Sequence, residues 1–220
     1  MDGELVVSLI PDEQKEHIRS QLAEGLVSPV RVIMFTQQME CQYCVQTKQL
    51  ITELAGLNDK IRAEVHDFVA DSQLAKDYSV DKIPAIILLG EKDHGIRFYG
   101  LPFGYEFQTL MQGLTAVSRG KTDLSDETKA KLRAVKVLVH IQVFVTLGCP
   151  HCPPAAVMAL KFAMENDLIR ADVIDANEFP QLAMKYSVMG TPKMVINDKI
   201  EFVGAVPESM FLEHVLLAAR

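Results

Sequence analysis

No stretch of this chain has the apolar length needed to cross a bilayer. Basic residues are outnumbered, 22 Lys and Arg against 29 Asp and Glu, for a formal net charge of -7. A general nucleic-acid footprint is therefore excluded, because neutralising phosphates requires a basic surface. Cysteine is equally sparse: there are four, and none lies outside two Cys-x-x-Cys pairs. That leaves no thiol for a static bridge between distant segments. The N-terminal Met1-Asp2-Gly3-Glu4 is acidic, and the apolar Leu5 to Ile10 is short. Neither the basic start nor the long apolar core of a secretory signal is present, so the expectation is a cytoplasmic protein. Hydrophobic content of 49% with 23% charged residues is globular composition, and 220 residues allow two domains of ordinary size.

The four cysteines occupy matched settings. Cys149-Pro150-His151-Cys152 follows the apolar run Ile141 to Val145, and Thr191-Pro192 comes 43 residues after the first cysteine. Cys41-Gln42-Tyr43-Cys44 follows Val30 to Phe35, and Ile83-Pro84 closes the same interval. The cysteines, a Tyr-Ser-Val triplet (78–80 and 186–188) and the proline all recur at an offset of 108 residues. The chain reads as a duplicated unit. Ser118 to Asp123 is the most polar and least periodic stretch, so the expected domains are 1–118 and 119–220.

Within each unit the pattern predicts helix, strand, helix, strand, short helix, β-hairpin and helix. Expected helices cover 11–24, 105–117 and 207–219, with strands at 30–35, 85–89, 96–99 and 137–145. Gly90 to Gly95 is expected to be a charged turn. Asp71 is a candidate helix cap. Asp67 and Asp175, which end equivalent strands, are either caps or buried proton acceptors. Pro153 and Pro154 follow Cys152 directly and predict an irregular or kinked first turn. The N-terminal unit carries two extra residues before its dithiol. The fold class expected is α/β, two domains each with a mixed central β-sheet and helices on both faces.

Two residues between cysteines at a helix start suit thiol–disulfide exchange. The first sulfur sits near unpaired backbone N–H groups and the positive end of the helix dipole, which favour thiolate. The second lies within bonding reach, able to displace a mixed disulfide. Cys41 and Cys149 are thus the candidate nucleophiles, with Cys44 and Cys152 as resolving thiols. Glu40 beside Cys41 disfavours a thiolate, whereas Gly148 and His151 favour one at Cys149. The second site is therefore expected to be the stronger oxidant. A zinc site is the competing reading, but ribbon-type Cys-x-x-Cys pairs lie about 15–20 residues apart, not a whole repeat. No metal and no cofactor beyond the dithiols is expected. His17, His66, His94, His140 and His214 form no pattern and are read as surface or satisfied structural residues. Met39 and Met189 are candidates to line an adaptable apolar groove.

With Cys-x-x-Cys ending the first strand and Pro opening the third, each half resembles the thioredoxin fold. The tandem with both dithiols intact is similar to the glutaredoxin-like protein disulfide oxidoreductases of thermophiles. That resemblance implies reduction, oxidation or isomerisation of protein disulfides, with Pro84 and Pro192 cis. It also implies that the backbone of Ile83 and Thr191 pairs with an extended substrate segment, and that the prolines keep metals off the thiols. Flavin-containing peroxiredoxin reductases carry a similar tandem module whose first dithiol is usually lost. The expectation here is the two-dithiol form without an appended flavin segment. An electron carrier between a thioredoxin reductase-like flavoprotein and a client such as a peroxidase is the second reading.

Overall fold

A computed structural model describes residues 8–220; the reading of the first seven residues lies outside them. The first half runs α1 (Asp12–Gly25), β1 (Val30–Thr36), α2 (Cys44–Ala55), β2 (Ile61–Asp67), α3 (Ser72–Asp77), β3 (Ala85–Leu89), β4 (Asp93–Tyr99) and α4 (Glu106–Arg119). The second repeats this as α5 (Asp126–Arg133), β5 (Val139–Val145), α6 (Cys152–Met164), β6 (Ile169–Asp175), α7 (Pro180–Lys185), β7 (Lys193–Ile196), β8 (Ile200–Val203) and α8 (Glu208–Ala218). These strands form one sheet in the order β2-β1-β3-β4-β6-β5-β7-β8.

The sequence predicts a separate sheet for each half; the structure joins them. Strands β4 and β6 pair in parallel, Ile96 with Ala171 through Tyr99 with Ile174. Two edges that would expose backbone N–H and C=O groups thereby satisfy each other. The signal is present in β6, which reads Ile-Arg-Ala-Asp-Val-Ile-Asp and is buried nearly throughout. Its counterpart β2 carries Glu64 and His66 where β6 has Asp172 and Ile174, and stays an exposed edge.

Core packing follows the strand alternation. Val32, Met34, Ile86, Leu88, Val143 and Met194 face the larger cluster with α1, α2, α4, α5, α6 and α8. Ile33, Phe35, Ile87, Phe144 and Val195 face a smaller cluster covered by α3 and α7.

Four local expectations are corrected. The hairpin strand β4 begins at Asp93, not Ile96, because Gly95 adopts φ +73° and a register shift between Ile87 and Leu89 lets Leu89 pair with Asp93. Helix α6 is continuous from Cys152, with Pro153 and Pro154 in its first turn. The N–H groups there have no intrahelical acceptor in any helix, so the prolines remove nothing. Asp71 stands at the start of α3 without capping it: its carboxylate accepts from Asp67 N–H at 3.0 Å and lies 3.3 Å from His66 Nδ1. Strand register places only one extra residue before the first dithiol. Thr36 opposes Asp67 as Val145 opposes Asp175, leaving residues 37–40 against 146–148.

Candidate functional site: two dithiols on one sheet edge

Strands β1 and β5 point the same way, through two antiparallel and two parallel pairings. Both therefore deliver their Cys-x-x-Cys to the same sheet edge. Three strands intervene, so the strand ends stand four spacings apart, roughly 19 Å. Neither dithiol can reach the other across that distance while the sheet is intact.

Each pair is disulfide-bonded, with Cα atoms 5.5 Å apart at Cys41–Cys44 and 5.4 Å at Cys149–Cys152. In both, the second cysteine begins the helix and is sealed into the core: Cys44 is 1% exposed and Cys152 fully buried. Cys41 is half-buried, and Cys149 is 8% exposed. Accessibility thus orders the sulfurs within each site, with the N-terminal one nearer solvent.

The peptide bonds Ile83–Pro84 and Thr191–Pro192 are cis. In the second site, Cys149 Sγ lies 3.5 Å from the Thr191 carbonyl oxygen, the separation at which the reduced thiol donates to it. The Thr146 and Thr191 hydroxyls meet at 3.1 Å beside them. Cys149, Thr191 and Pro192 are therefore brought together. His151 is exposed, in the last position before α6, and no hydrogen bond ties it to Cys149 among the described residues. Glu40 is exposed with φ +59°, so solvent screens its charge from Cys41. A cleft of about 350 Å³ lies beside Cys44, lined by Gln37, Gln38, Val45, Lys48 and Val65 among others. Met39 and Met189 are exposed, the latter 95%.

Sequence reasoning missed a group of acids behind the second dithiol. Gly104 has φ +59°, and a Cβ there would stand 2.5 Å from Leu147 O, so only glycine allows the approach. Tyr105 N–H then donates to Leu147 O at 3.1 Å, two residues before Cys149. This seats Glu106, at the start of α4, against Val145, Leu147 and Asp175 around a space of about 10 Å³. Glu106 is 2% exposed, and among the described residues neither carboxylate oxygen meets a donor at hydrogen-bond geometry, although the Thr109 hydroxyl is near enough to favour its charged form. Burial, opposed in part by the Thr109 hydroxyl and aided slightly by Asp175, pushes its pKa up to about 7. Burial likewise raises Asp175, although its Oδ1 accepts from Asn177 and Glu178 N–H. Glu178 is pushed up to about 7 by burial and by Asp175, while accepting from Leu101 N–H at 2.7 Å. The cap reading holds for Asp67, whose Oδ1 accepts from Val69 and Ala70 N–H. The only sequence clue to Glu106 is an acid at the start of an otherwise apolar helix, which ordinarily means a solvated first turn.

Among the described residues there is no group of three or more potential metal ligands, and no helix is long and apolar enough to cross a membrane.

Comparisons with known proteins agree with this geometry. A family model described as a thioredoxin domain matches residues 139–217. Thioredoxin of Methanocaldococcus jannaschii is 37% identical over 78 residues, 35% of this chain and 92% of that protein. The F component of the Escherichia coli alkyl hydroperoxide reductase is 24% identical over 191 residues, covering 87% of this chain. The chain spans only 34% of that relative's length. Among solved structures, a protein disulfide oxidoreductase from Aeropyrum pernix superposes with TM-score 0.91 at 31% identity, covering 97% of this chain and 95% of that one.

Proposed function

The chain belongs to the thioredoxin-fold protein disulfide oxidoreductases that carry two units in tandem, and from that membership we propose how its two dithiols divide the work. In the reducing direction, the Cys149 or Cys41 thiolate attacks one sulfur of a substrate disulfide and expels the other as thiolate. The resolving thiol, Cys152 or Cys44, loses its proton and attacks the mixed disulfide. The substrate leaves with two thiols and the enzyme with one disulfide, a two-electron exchange that balances without a cofactor. Oxidation is the reverse. The observation that carries this assignment is the ordering of exposure within each pair, which offers one sulfur to a partner and hides the other.

The second site is the principal one in this reading. Its nucleophile has the uncharged Gly148 before it and His151 at the helix start, while the Thr191 carbonyl beside it and Glu106 behind its loop oppose ionisation and tie the thiol's reactivity to pH. The exposed Glu40 adds little to the asymmetry. Backbone groups of Ile83 and Thr191, next to Pro84 and Pro192, are the proposed docking points for an extended substrate segment. The proposed unit boundary at residues 118–119 falls in the last turn of α4, and the proposed setting is cytoplasmic. A thioredoxin reductase-like flavoprotein is the proposed electron donor.

Likeness to the alkyl hydroperoxide reductase component over most of the chain favours a second reading, electron transfer toward a peroxide-reducing client. Refolding of a scrambled-disulfide protein, followed with and without thioredoxin reductase, separates the two. Isomerisation without the reductase supports the first; turnover only with reductase and a peroxidase supports the second. In the first case Cys149→Ser abolishes most activity and Cys41→Ser costs less. Equal losses from both variants overturn the ranking of the sites and mean that they act in series.

A further inference from the structure

At the sheet edge opposite the dithiols, where β4 begins and α6 ends, a cavity of about 320 Å³ opens between the two halves. Its lining is strongly basic for a chain of net charge -7: Lys92, Lys121, Lys129 and Arg133 against one carboxylate, Glu165. Not all of that charge is free. Arg133 pairs with Glu165 at 3.0 Å, the other Glu165 oxygen takes the Thr122 hydroxyl, and Lys92 pairs with Asp167. Lys121 is exposed with no partner among the described residues, and Lys129 donates only to the Thr122 carbonyl, at 2.9 Å. Lys121 thus has no counter-charge, and Lys129 shares only the exposed Asp123, which already pairs with Lys161, in a concave site where low-dielectric walls concentrate the field.

His94 supplies the second, independent observation. It lines the same cavity and is 6% exposed, and its Nδ1 is completely enclosed without a partner among the described residues. The enclosed Nδ1 is out of reach of the cavity, so a ligand there can meet only the other ring nitrogen, Nε2. Burial first, then the charge of Lys92, holds its pKa below the ordinary histidine value, so at neutral pH it is an uncharged ring with one N–H to donate.

We propose that this cavity binds a small phosphate-bearing anion, held by Lys121 and Lys129 as charges and by His94 as a hydrogen-bond donor. Phosphate fits because its oxygens accept from several donors at once and its charge suits two ammonium groups that have only one exposed, shared carboxylate, Asp123, near them. The cavity joins β4 of the first half to the linker, α5 and the end of α6 in the second. A bound anion therefore braces the joint between halves, remote from either dithiol. The inference is independent of the redox reading.

Thermal unfolding of the full chain in inorganic phosphate or pyrophosphate, with potassium chloride at matched ionic strength as reference, tests this. A saturable rise in Tm is expected. The Lys121→Ala/Lys129→Ala variant should raise the apparent dissociation constant about tenfold, the loss of charge-assisted bonds. Lys199→Ala, which removes one charge on the β7–β8 turn as Lys121→Ala does in the cavity, should not alter it. If the double variant folds poorly, Lys121→Ala alone removes an exposed, uncontacted side chain and should still weaken binding several-fold. The His94 ring resonances should shift with pyrophosphate along the same saturation curve. The proposal is overturned if chloride gives the same rise, if the lysine variants respond like the parent, or if the His94 signals stay fixed at saturation.

Discussion

Among the described residues Glu106 has no ion-pair partner, neither of its oxygens faces water, and its location beside Leu147 is set by the first half of the chain. Its pH dependence follows from burial. Below about pH 4.5 the carboxyl is protonated in folded and unfolded chains alike. Between 4.5 and about 7 only the unfolded chain ionises, so stability falls with rising pH, by roughly 3 kcal/mol for this group. Above 7 the loss is complete. Glu106→Gln should therefore be more stable than the parent at pH 8, with a shallower slope between pH 4.5 and 7 in urea unfolding. Asp175 and Glu178, shifted in the same direction, keep the slope from vanishing. The same substitution should flatten the pH profile of the second dithiol, measured in a Cys41→Ser background. An unchanged profile removes Glu106 from the chemistry and leaves it a stability effect alone.

Helices and loops carry the asymmetry between the two sites. Helix α4 of the first half packs along α6, so the second dithiol helix is clamped between halves, whereas α2 lies against its own β1 and β2. Just before α4 and α6 the halves meet backbone to backbone, where Gly104 approaches Leu147 and Tyr105 N–H donates to Leu147 O. Gly104→Ala places a Cβ against Leu147 O, at a backbone angle that penalises any side chain. It should lower kcat/KM at the second dithiol several-fold and leave the first unaffected, as read in single-site variants. Equal effects on both sites would mean a global destabilisation. In the β7–β8 turn Asn197 and Asp198 have φ of +51° and +54°, which these residue types tolerate, and the Asn197 side chain ties the turn to His140 N–H and to the Leu138 and Ala218 carbonyls.

At the scale of the molecule, one continuous sheet makes the two halves a single folding unit. A polar network closes the joint. Arg170 donates to both oxygens of the fully buried Asp172, to the Tyr99 hydroxyl at 2.8 Å and to Ser79 O at 2.9 Å. His140 Nε2 lies 2.7 Å from Asp172 on the other side. Burial alone would raise the Asp172 pKa, but His140 and Arg170 hold its carboxylate below the usual range. Arg170→Ala strips the buried Asp172 charge of its two-pronged partner, leaving His140, and should cost about 3 kcal/mol. Calorimetry should show one unfolding transition in the parent. Two separated transitions would mean that β4 and β6 do not couple the halves.

The repeat of cysteines, Tyr-Ser-Val and proline at a constant offset determined, from sequence, the fold class, the duplication and the positions of both dithiols. Those features are local. A strand, a turn chemistry or a helix start is specified by residues within about ten positions, and a second copy repeats the test. Only the tertiary structure decided that the halves share one sheet, that Glu106 from one half lies behind the dithiol loop of the other, and that His94 and the linker lysines meet in one cavity. Each depends on contacts between residues tens of positions apart. An acid at a helix start or a histidine in a hairpin reads the same whether it ends in water or in the core. Burial made the difference, and burial is a property of the assembled chain.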